Sequence, residues 1–395
     1  MKRFLALMLV CLTIALCVVA CKKDETDTSD TEATGSVEES VIETPETDAE
    51  AEGEERTLKL SGTVRGVHVF GKRVYVNRNY LACDYSGSGM EFVVNFNGGK
   101  LYVRTKTDAP CKFVVTVDGT VKKFNGEQFV LIDGDEDIAI SGMTKGKHTV
   151  KIIKLTGYEQ ARASFFNLRF HGSLISDEAA PDADIFVEYL GGSAASGIGS
   201  IGDYTDQNAT QAYPYLLSES LKTEYSIFAL SDGDLMKKVS DAYPYASVKR
   251  DAKTLYDFEN KADVTVVHVG SEGKNADEFS ASYRSLLEMI REKNGKACRI
   301  VCVYNSSDSV AASSITAICG ELGGEAAGIY AIAVSVKDGG AMSAQEQKAL
   351  ADAISATLDK AIKTEIDFGN VGADDEVGDP DIKIDHNDPA WNKQD

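Results

Sequence analysis

Near residue 183 the hydrophobic pattern of the chain changes, and that switch constrains the fold more than any other feature. From Ala183 onward five apolar runs appear: Ile185 to Leu190, Tyr225 to Leu230, Val264 to Val269, Ile300 to Tyr304 and Ile329 to Val334. Amphipathic stretches separate several of them. Phe279, Tyr283, Leu286, Leu287 and Ile290 fall on one helical face, and Leu350, Ile354, Leu358 and Ile362 form a second stripe. Ser343-Ala-Gln-Glu346 before that stripe reads as a capping box. Strands that are apolar throughout, alternating with helices, predict a parallel sheet covered on both faces. Sites in such sheets form at the carboxyl ends of the strands. Gly191-Gly-Ser193, Ser231-Asp-Gly-Asp234 and Gly270-Ser-Glu-Gly273 all fall at such ends and are expected to converge.

Residues 57 to about 175 read differently. Short β-rich runs recur, among them Glu91-Phe-Val-Val-Asn-Phe, Leu101-Tyr-Val-Arg-Thr, Lys112-Phe-Val-Val-Thr-Val and His148-Thr-Val-Lys-Ile-Ile-Lys-Leu. Asn97-Gly-Gly, Asp118-Gly and Asp133-Gly supply turns between them. The spacing predicts an all-β sandwich without helices.

The ends of the chain carry little that can pack. Lys2 and Arg3 precede an apolar run from Phe4 to Ala20, which reads as a signal peptide over residues 1–20. Val18-Val-Ala-Cys21 resembles a bacterial lipobox, so Cys21 is expected to carry a lipid anchor; a signal peptide with a chance cysteine is the alternative. Residues 21–56 are rich in Asp, Glu, Thr and Ser and are expected to form a disordered acidic linker. Residues 364–395 read as an acidic tail. The expected location is the extracytoplasmic face of the cell membrane.

A net charge of −21 argues against a nucleic-acid partner. Asp374-Asp-Glu and Asp379-Pro-Asp match no EF-hand spacing, and neither a metal nor a cofactor is expected. Of eight cysteines, Cys83, Cys111, Cys298, Cys302 and Cys319 remain beyond the leader and Cys21. Their odd number and spacing read as buried thiols, not as a disulfide framework.

Ser193 stands where a hydrolase places its nucleophile, on the turn leaving a buried strand. A serine hydroxyl is weak without a base, and the place where a histidine would follow reads Val336-Lys-Asp-Gly-Gly340. A wider set of residues extends this likeness. Asp84-Tyr-Ser-Gly-Ser-Gly-Met-Glu91, Gly146-Lys-His-Thr-Val-Lys-Ile-Ile-Lys154 and Ala163-Ser-Phe-Phe-Asn-Leu168 lie in the β region. Val187-Glu-Tyr-Leu-Gly-Gly-Ser193, Gly197-Ile-Gly199, Thr210-Gln-Ala-Tyr-Pro-Tyr215 and Tyr225-Ser-Ile-Phe-Ala-Leu-Ser231 continue it. In that order they resemble carbohydrate esterase family 2. The resemblance implies an all-β jelly-roll sandwich (residues 57–175) followed by an α/β three-layer, flavodoxin-like SGNH/GDSL hydrolase domain (residues 182–363). It further implies an acetyl-xylan-type esterase.

The chain departs from that family's chemistry at most positions. Gly192 replaces the aspartate of Gly-Asp-Ser. Asp232 stands where an oxyanion glycine is expected, with Gly233 one position off and Asp234 nearby. Glu272 replaces the asparagine that donates to the oxyanion, and Asn275 is the nearest substitute. Asp338 is followed by Gly339 and then Gly340, which takes the place of the histidine. A carboxylate beside a developing oxyanion opposes the transition state. Of five histidines, His68, His148 and His171 belong to the sandwich and His386 to the tail, which leaves His268 near the strand ends. Its expected role is a packed, hydrogen-bonded histidine; a rewired base for Ser193 is the sharper alternative.

Ser193 therefore has two readings, a candidate nucleophile or a small residue in a tight turn. The leading expectation is a lipid-anchored protein with impaired catalysis. It would bind a glycan or other cell-envelope component in a cleft lined by Gly192, Asp232, Gly233, Glu272, Asn275 and Asp338. Tyr204, Tyr213 and Tyr215 are candidate stacking faces for sugar. The alternatives are an active serine esterase that deacetylates carbohydrate through Ser193, and a structural or protein-interaction lipoprotein.

Overall fold

Period-2 alternation builds the first half of the computed structural model, which describes residues 48–61, 65–71, 73, 75–76, 79–176, 183–200, 207–231, 233–247, 254–336 and 340–364. Its strands are β1 (Glu55–Lys59), β2 (Val67–Phe70), β3 (Tyr75–Val76), β4 (Leu81–Cys83), β5 (Gly89–Phe96) and β6 (Leu101–Thr107). They continue with β7 (Cys111–Val117), β8 (Thr120–Val121), β9 (Val130–Ile132), β10 (Asp135–Ile140), β11 (Gly146–Lys154) and β12 (Ala163–Leu174). In β6, buried Leu101, Val103, Thr105 and Thr107 alternate with more open Tyr102, Arg104 and Lys106, as a half-buried strand requires. The strands pair antiparallel in the order β10-β6-β12-β5-β11-β7-β8, with β1, β2, β3, β4 and β9 attached off that path.

The sheet curls because β12 changes partner. Its first part pairs with β1, β4 and β6, and Gly172 to Leu174 then pair with β5. Gly172 sits at φ 128°, and a Cβ there would fall 2.0 Å from the Asn95 carbonyl oxygen, so the crossover needs glycine. Phe92, Phe96, Phe113, Phe165, Leu101 and Ile138 fill the space enclosed.

Order begins earlier than the composition suggests. Residues 48–56 were expected in the disordered linker, yet Asp48 accepts the Gly142 N–H at 2.8 Å, Glu52 donates to the Asn97 carbonyl, and β1 pairs with β12. Backbone hydrogen bonding offsets the low hydrophobicity of this acidic segment. Residues 1–47 and 365–395, including Cys21, His386 and most of the acidic tail, lie outside the described residues.

The second half holds the five apolar runs as β13 (Phe186–Gly191), β14 (Glu224–Ala229), β17 (Val264–His268), β18 (Arg299–Asn305) and β19 (Ile329–Val334). A two-stranded ribbon, β15 (Tyr245–Ser247) and β16 (Thr254–Leu255), interrupts them. The helices are α1 (Tyr213–Leu221), α2 (Leu235–Ala242), α3 (Ala276–Asn294), α4 (Ser309–Glu321) and α5 (Ala344–Lys363). The five-stranded sheet is parallel, in the order β14-β13-β17-β18-β19. Helices α2, α3 and α4 share one core with Leu190, Phe228, Val267 and Cys302. Helices α1 and α5 share the other with Val187, Tyr189, Val266 and Val301. The capping box at Ser343 and Glu346 is present. Cys83, Cys111, Cys298, Cys302 and Cys319 are all buried and outside any disulfide.

Strand order reverses at β13: β14 lies on one side of it and β17 on the other. Crevices open at such reversals, beyond the carboxyl ends of the strands. The sandwich is fastened to this sheet by buried contacts. Tyr225 donates to the Gly87 carbonyl at 2.7 Å, His68 and Glu224 lie 2.9 Å apart, and Tyr85 stacks on Tyr158 beside Phe228.

Candidate functional site

Gly192 caps a single 3₁₀ turn, Ser193–Ser196, that leaves β13 and is closed by Gly197 in the left-handed region. The Ser196 hydroxyl donates to the Ser193 carbonyl at 2.8 Å. Fully buried Gln347 reaches in from α5: its amide donates to the Ala194 carbonyl at 2.8 Å and accepts the Tyr213 N–H at 2.9 Å. One side chain thus ties the turn to α1 and α5.

Ser193 is 9 % exposed. It lines a recess of about 10 Å³ together with Ser196, Ser231 and the sandwich loop Gly157, Tyr158, Glu159 and Gln160. That space holds about one water. The loop is held in turn by Gln207, which accepts the Gly157 N–H.

A second cavity, about 410 Å³, opens at the strand ends where β13, β17 and β18 finish. Gly192, His268, Ser271, Glu272, Asp308 and Gly340 line it; Ser193 is not among its lining residues. The three strand ends expected to converge do so: Glu272 after β17 accepts the Gly233 N–H after β14, and Ser231 lines the recess together with Ser193. His268 therefore faces the cleft, with its ring edge-on to Tyr213 at 5.6 Å between centroids. The candidate nucleophile lines the small recess instead.

Glu272 accepts the Gly233 N–H at 2.9 Å and the Leu235 N–H at 2.6 Å. These are the amides that open α2, where the helix dipole favours an anion. Glu272 itself sits at φ 48°, a costly conformation for a residue with a Cβ, and its two charge-assisted bonds offset that strain. Beside it Asp234 pairs with Lys274 at 2.7 Å, and the Lys274 ammonium holds its carboxyl below the usual range.

Asp308 caps α4. It accepts the Ala311 N–H at 3.0 Å, the Ser271 N–H at 2.8 Å and the Ser271 hydroxyl at 2.8 Å. Burial opposes its charge, but these donors outweigh burial and hold the carboxyl below its ordinary value.

Several candidate residues serve elsewhere. Asn275 accepts the Glu278 N–H at 2.9 Å as the cap of α3 and does not line the cleft; a cap asparagine spends its acceptor on the helix. Tyr213 is fully buried, and burial pushes its hydroxyl well up. Tyr215 packs on Tyr225 and lies near Lys151, at the contact with the sandwich. Gly340 does line the cleft, at φ 77°, with open space where its Cβ would point. Asp232, Asp338 and Tyr204 lie outside the described residues. Tyr304, Asn305 and Asp308 line the cleft and were missed by the sequence reading. Their signal was positional: Tyr304 ends the fourth apolar run, and Asn305 and Asp308 follow it within four residues. Among the described residues no cluster of His, Cys, Asp and Glu is placed to hold a metal ion.

Residues 70–177 match the carbohydrate esterase 2 N-terminal family. The fold matches that of a family two carbohydrate esterase from Clostridium thermocellum in complex with cellohexaose, with TM-score 0.65 and 19 % identity, over 75 % of this chain and 98 % of that one. It also matches an acetyl xylan esterase from the rumen bacterium Butyrivibrio proteoclasticus, with TM-score 0.64 and 16 % identity, over 78 % and 99 %. A third similar structure is a carbohydrate esterase whose active site displays divergent catalytic and non-catalytic binding functions, with TM-score 0.58 and 19 % identity, over 74 % and 97 %. No curated protein sequence matches the chain. The chain thus resembles carbohydrate esterase family 2, by sequence in the sandwich and by fold across both halves.

Proposed function

We propose that this protein binds a glycan in the cleft at the strand ends and has lost esterase catalysis. The observation that carries the reading is the pair of hydrogen bonds from Gly233 and Leu235 to Glu272. Backbone amides beyond β14 are the kind of donor an acyl-transfer site needs for its oxyanion, and here an internal carboxylate takes two of them. Two further observations agree: Gly340 stands where the base is expected, and Ser193 lines the recess under the sandwich loop. Bound cellohexaose in a similar structure, and divergent catalytic and non-catalytic binding in another, support a carbohydrate as the ligand. In this reading the sandwich is a jelly roll, the α/β half has three layers, and Cys21 anchors the protein by lipid to the outer face of the cell membrane.

One observation favours the alternative of an active serine esterase. Glu159 lines the same recess as Ser193 and is a carboxylate in the region where a base is needed. A chromogenic acetyl ester assay on the wild type beside Ser193→Ala separates the two. Equal background rates are expected, together with saturable binding of cello- or xylo-oligosaccharide. Turnover that depends on Ser193 overturns the proposal.

A further inference from the structure

We infer that the outer edge of β19 pairs with the same edge of a second copy of this chain, antiparallel about a two-fold axis at Ala331. The Gly328 carbonyl accepts the Ile300 N–H at 2.9 Å, and the Val334 carbonyl accepts the Ser306 N–H at 2.8 Å. Along a strand, alternate residues turn their backbone groups to the same neighbour, so Tyr330 and Ile332 also face β18. Ile329, Ala331 and Ala333 turn theirs the other way. Among the described residues β18 is the one ladder partner of β19. Ala331 and Ala333 are exposed. Edge strands are ordinarily blunted by lysine, proline, a bulge or an inward-pointing charge. The strand Ile329-Tyr-Ala-Ile-Ala-Val334 has none of these, and its register with β18 is unbroken.

The helix beside this edge is uncharged as well. Ile329 packs in the core that α4 shares, and residues two apart share a face, so Ala331 and Ala333 lie on the α4 side of the sheet. Helix α4 carries no charged side chain from Ser309 to Gly320, and Ser313, Thr316, Ala317 and Gly320 are exposed. Its single charge, Glu321, is held toward α3 by Arg284. Thr316 donates to the Tyr304 hydroxyl at 3.5 Å, and Tyr304 stands in register with Ala333.

Charge and symmetry select the occupant. A chain of net charge −21, with 26 % of its residues charged, repels a copy of itself on most approaches. An uncharged face is where two copies meet without that cost, and interface cores are depleted in charge. Centred on Ala331, the antiparallel pairing sets Ile329 against Ala333 of the partner subunit and makes about six backbone hydrogen bonds. The strand and the helix are each about 20 Å long, a face of roughly 300–400 Å² per copy against ~800 Å² in a standard interface. The dimer is therefore expected to be weak, dissociating at roughly 10–100 μM.

Cross-linking of the purified full chain tests this. A bismaleimide with a spacer of about 8 Å suits two Cβ atoms about 5.5 Å apart. Ala331→Cys is expected to give a cross-linked dimer whose yield rises with protein concentration. Lys123→Cys, on an exposed position of the sandwich, is expected to match the wild type, whose own cysteines set the background. Adding Thr316→Lys to Ala331→Cys puts like charges on the two α4 faces, and adding Ala333→Pro removes an outward N–H while leaving the β18 ladder intact. Each addition is expected to cut the yield about tenfold. Thr316→Lys lies on a helix surface and keeps the test open if the proline disturbs folding. A yield from Ala331→Cys no higher than from Lys123→Cys overturns the inference, whether another segment of this chain or another protein takes the edge. A yield that Thr316→Lys and Ala333→Pro both leave unchanged also overturns it.

Discussion

The guanidinium of Arg73, carried by the sandwich, pairs with Glu188 in the middle of β13 at 2.9 Å, both side chains being almost wholly buried. Arg73 also donates to the Tyr243 and Tyr245 carbonyls at 2.8 and 3.0 Å and lies 4.3 Å from the centre of the Phe228 ring. Tyr243 donates to the other Glu188 oxygen at 2.7 Å. Removing one partner leaves a buried charge, so Arg73→Met or Glu188→Gln is expected to cost about 3–5 kcal/mol in urea unfolding. The double variant Arg73→Met/Glu188→Met is expected to lose less than the two single losses combined, since no charge is then stranded. Additive losses would show that the pair is not coupled.

Gln347 holds the turn after β13 through both ends of its amide. In Gln347→Leu the Ala194 carbonyl and the Tyr213 N–H lose their partner while still buried, at about 1–3 kcal/mol for each group. Thermal unfolding is expected to fall accordingly. Glycan affinity is expected to fall with it, because Gly192 and Ala194 form part of the cleft wall. Unchanged affinity in a destabilised Gln347→Leu variant would show that the turn does not position the ligand.

Lys154 is fully buried among main-chain acceptors, the carbonyls of Asp84 at 2.9 Å, Gly157 at 3.5 Å and Thr156. Burial lowers its ammonium from the ordinary 10.5. Between the folded value and 10.5 the unfolded chain binds more protons, so folding stability gains with rising pH across that window. The cost is fully present below it. Lys154→Met removes this dependence. The stability difference, wild type minus variant, is expected to rise as pH approaches 10.5 from below, by at most about 1.4 kcal/mol per pH unit. A flat difference would count against a strained ammonium.

The fold was legible because its signals are local. Apolar runs of strand length and the box at Ser343 specify strands and a helix start without help from distant residues. The site was less legible because its decisive contacts are long in sequence. That Glu272 would bond Gly233, or that Gln347 would bond Ala194, depends on how strand ends converge, and spacing along the chain does not carry that. Asn275 misled for a related reason: an asparagine one position before a helix serves as a cap or as a ligand group with the same side chain. The order of residues 48–56 was hidden because β1 is stabilised by pairing with β12, not by apolar content of its own.

Restoring the missing histidine is expected to leave the protein inactive. Gly340 has open space where a side chain would project, but its φ of 77° disfavours any residue with a Cβ. The imidazole of Gly340→His would enter the cleft, where His268 already lies and which Ser193 does not line. The amides of Gly233 and Leu235 would remain on Glu272 and so offer an oxyanion no donor. A missing donor costs about 10²–10³ in rate even when the base is intact. Gly340→His is therefore expected to match Ser193→Ala in acetyl ester hydrolysis. Gly340→His/Glu272→Ala, which releases both amides, is expected to gain little while Ser193 stays under the Gly157–Gln160 loop. Serine-dependent turnover in the single Gly340→His variant would show that the base alone was missing, and that neither Glu272 nor the recess blocks the chemistry.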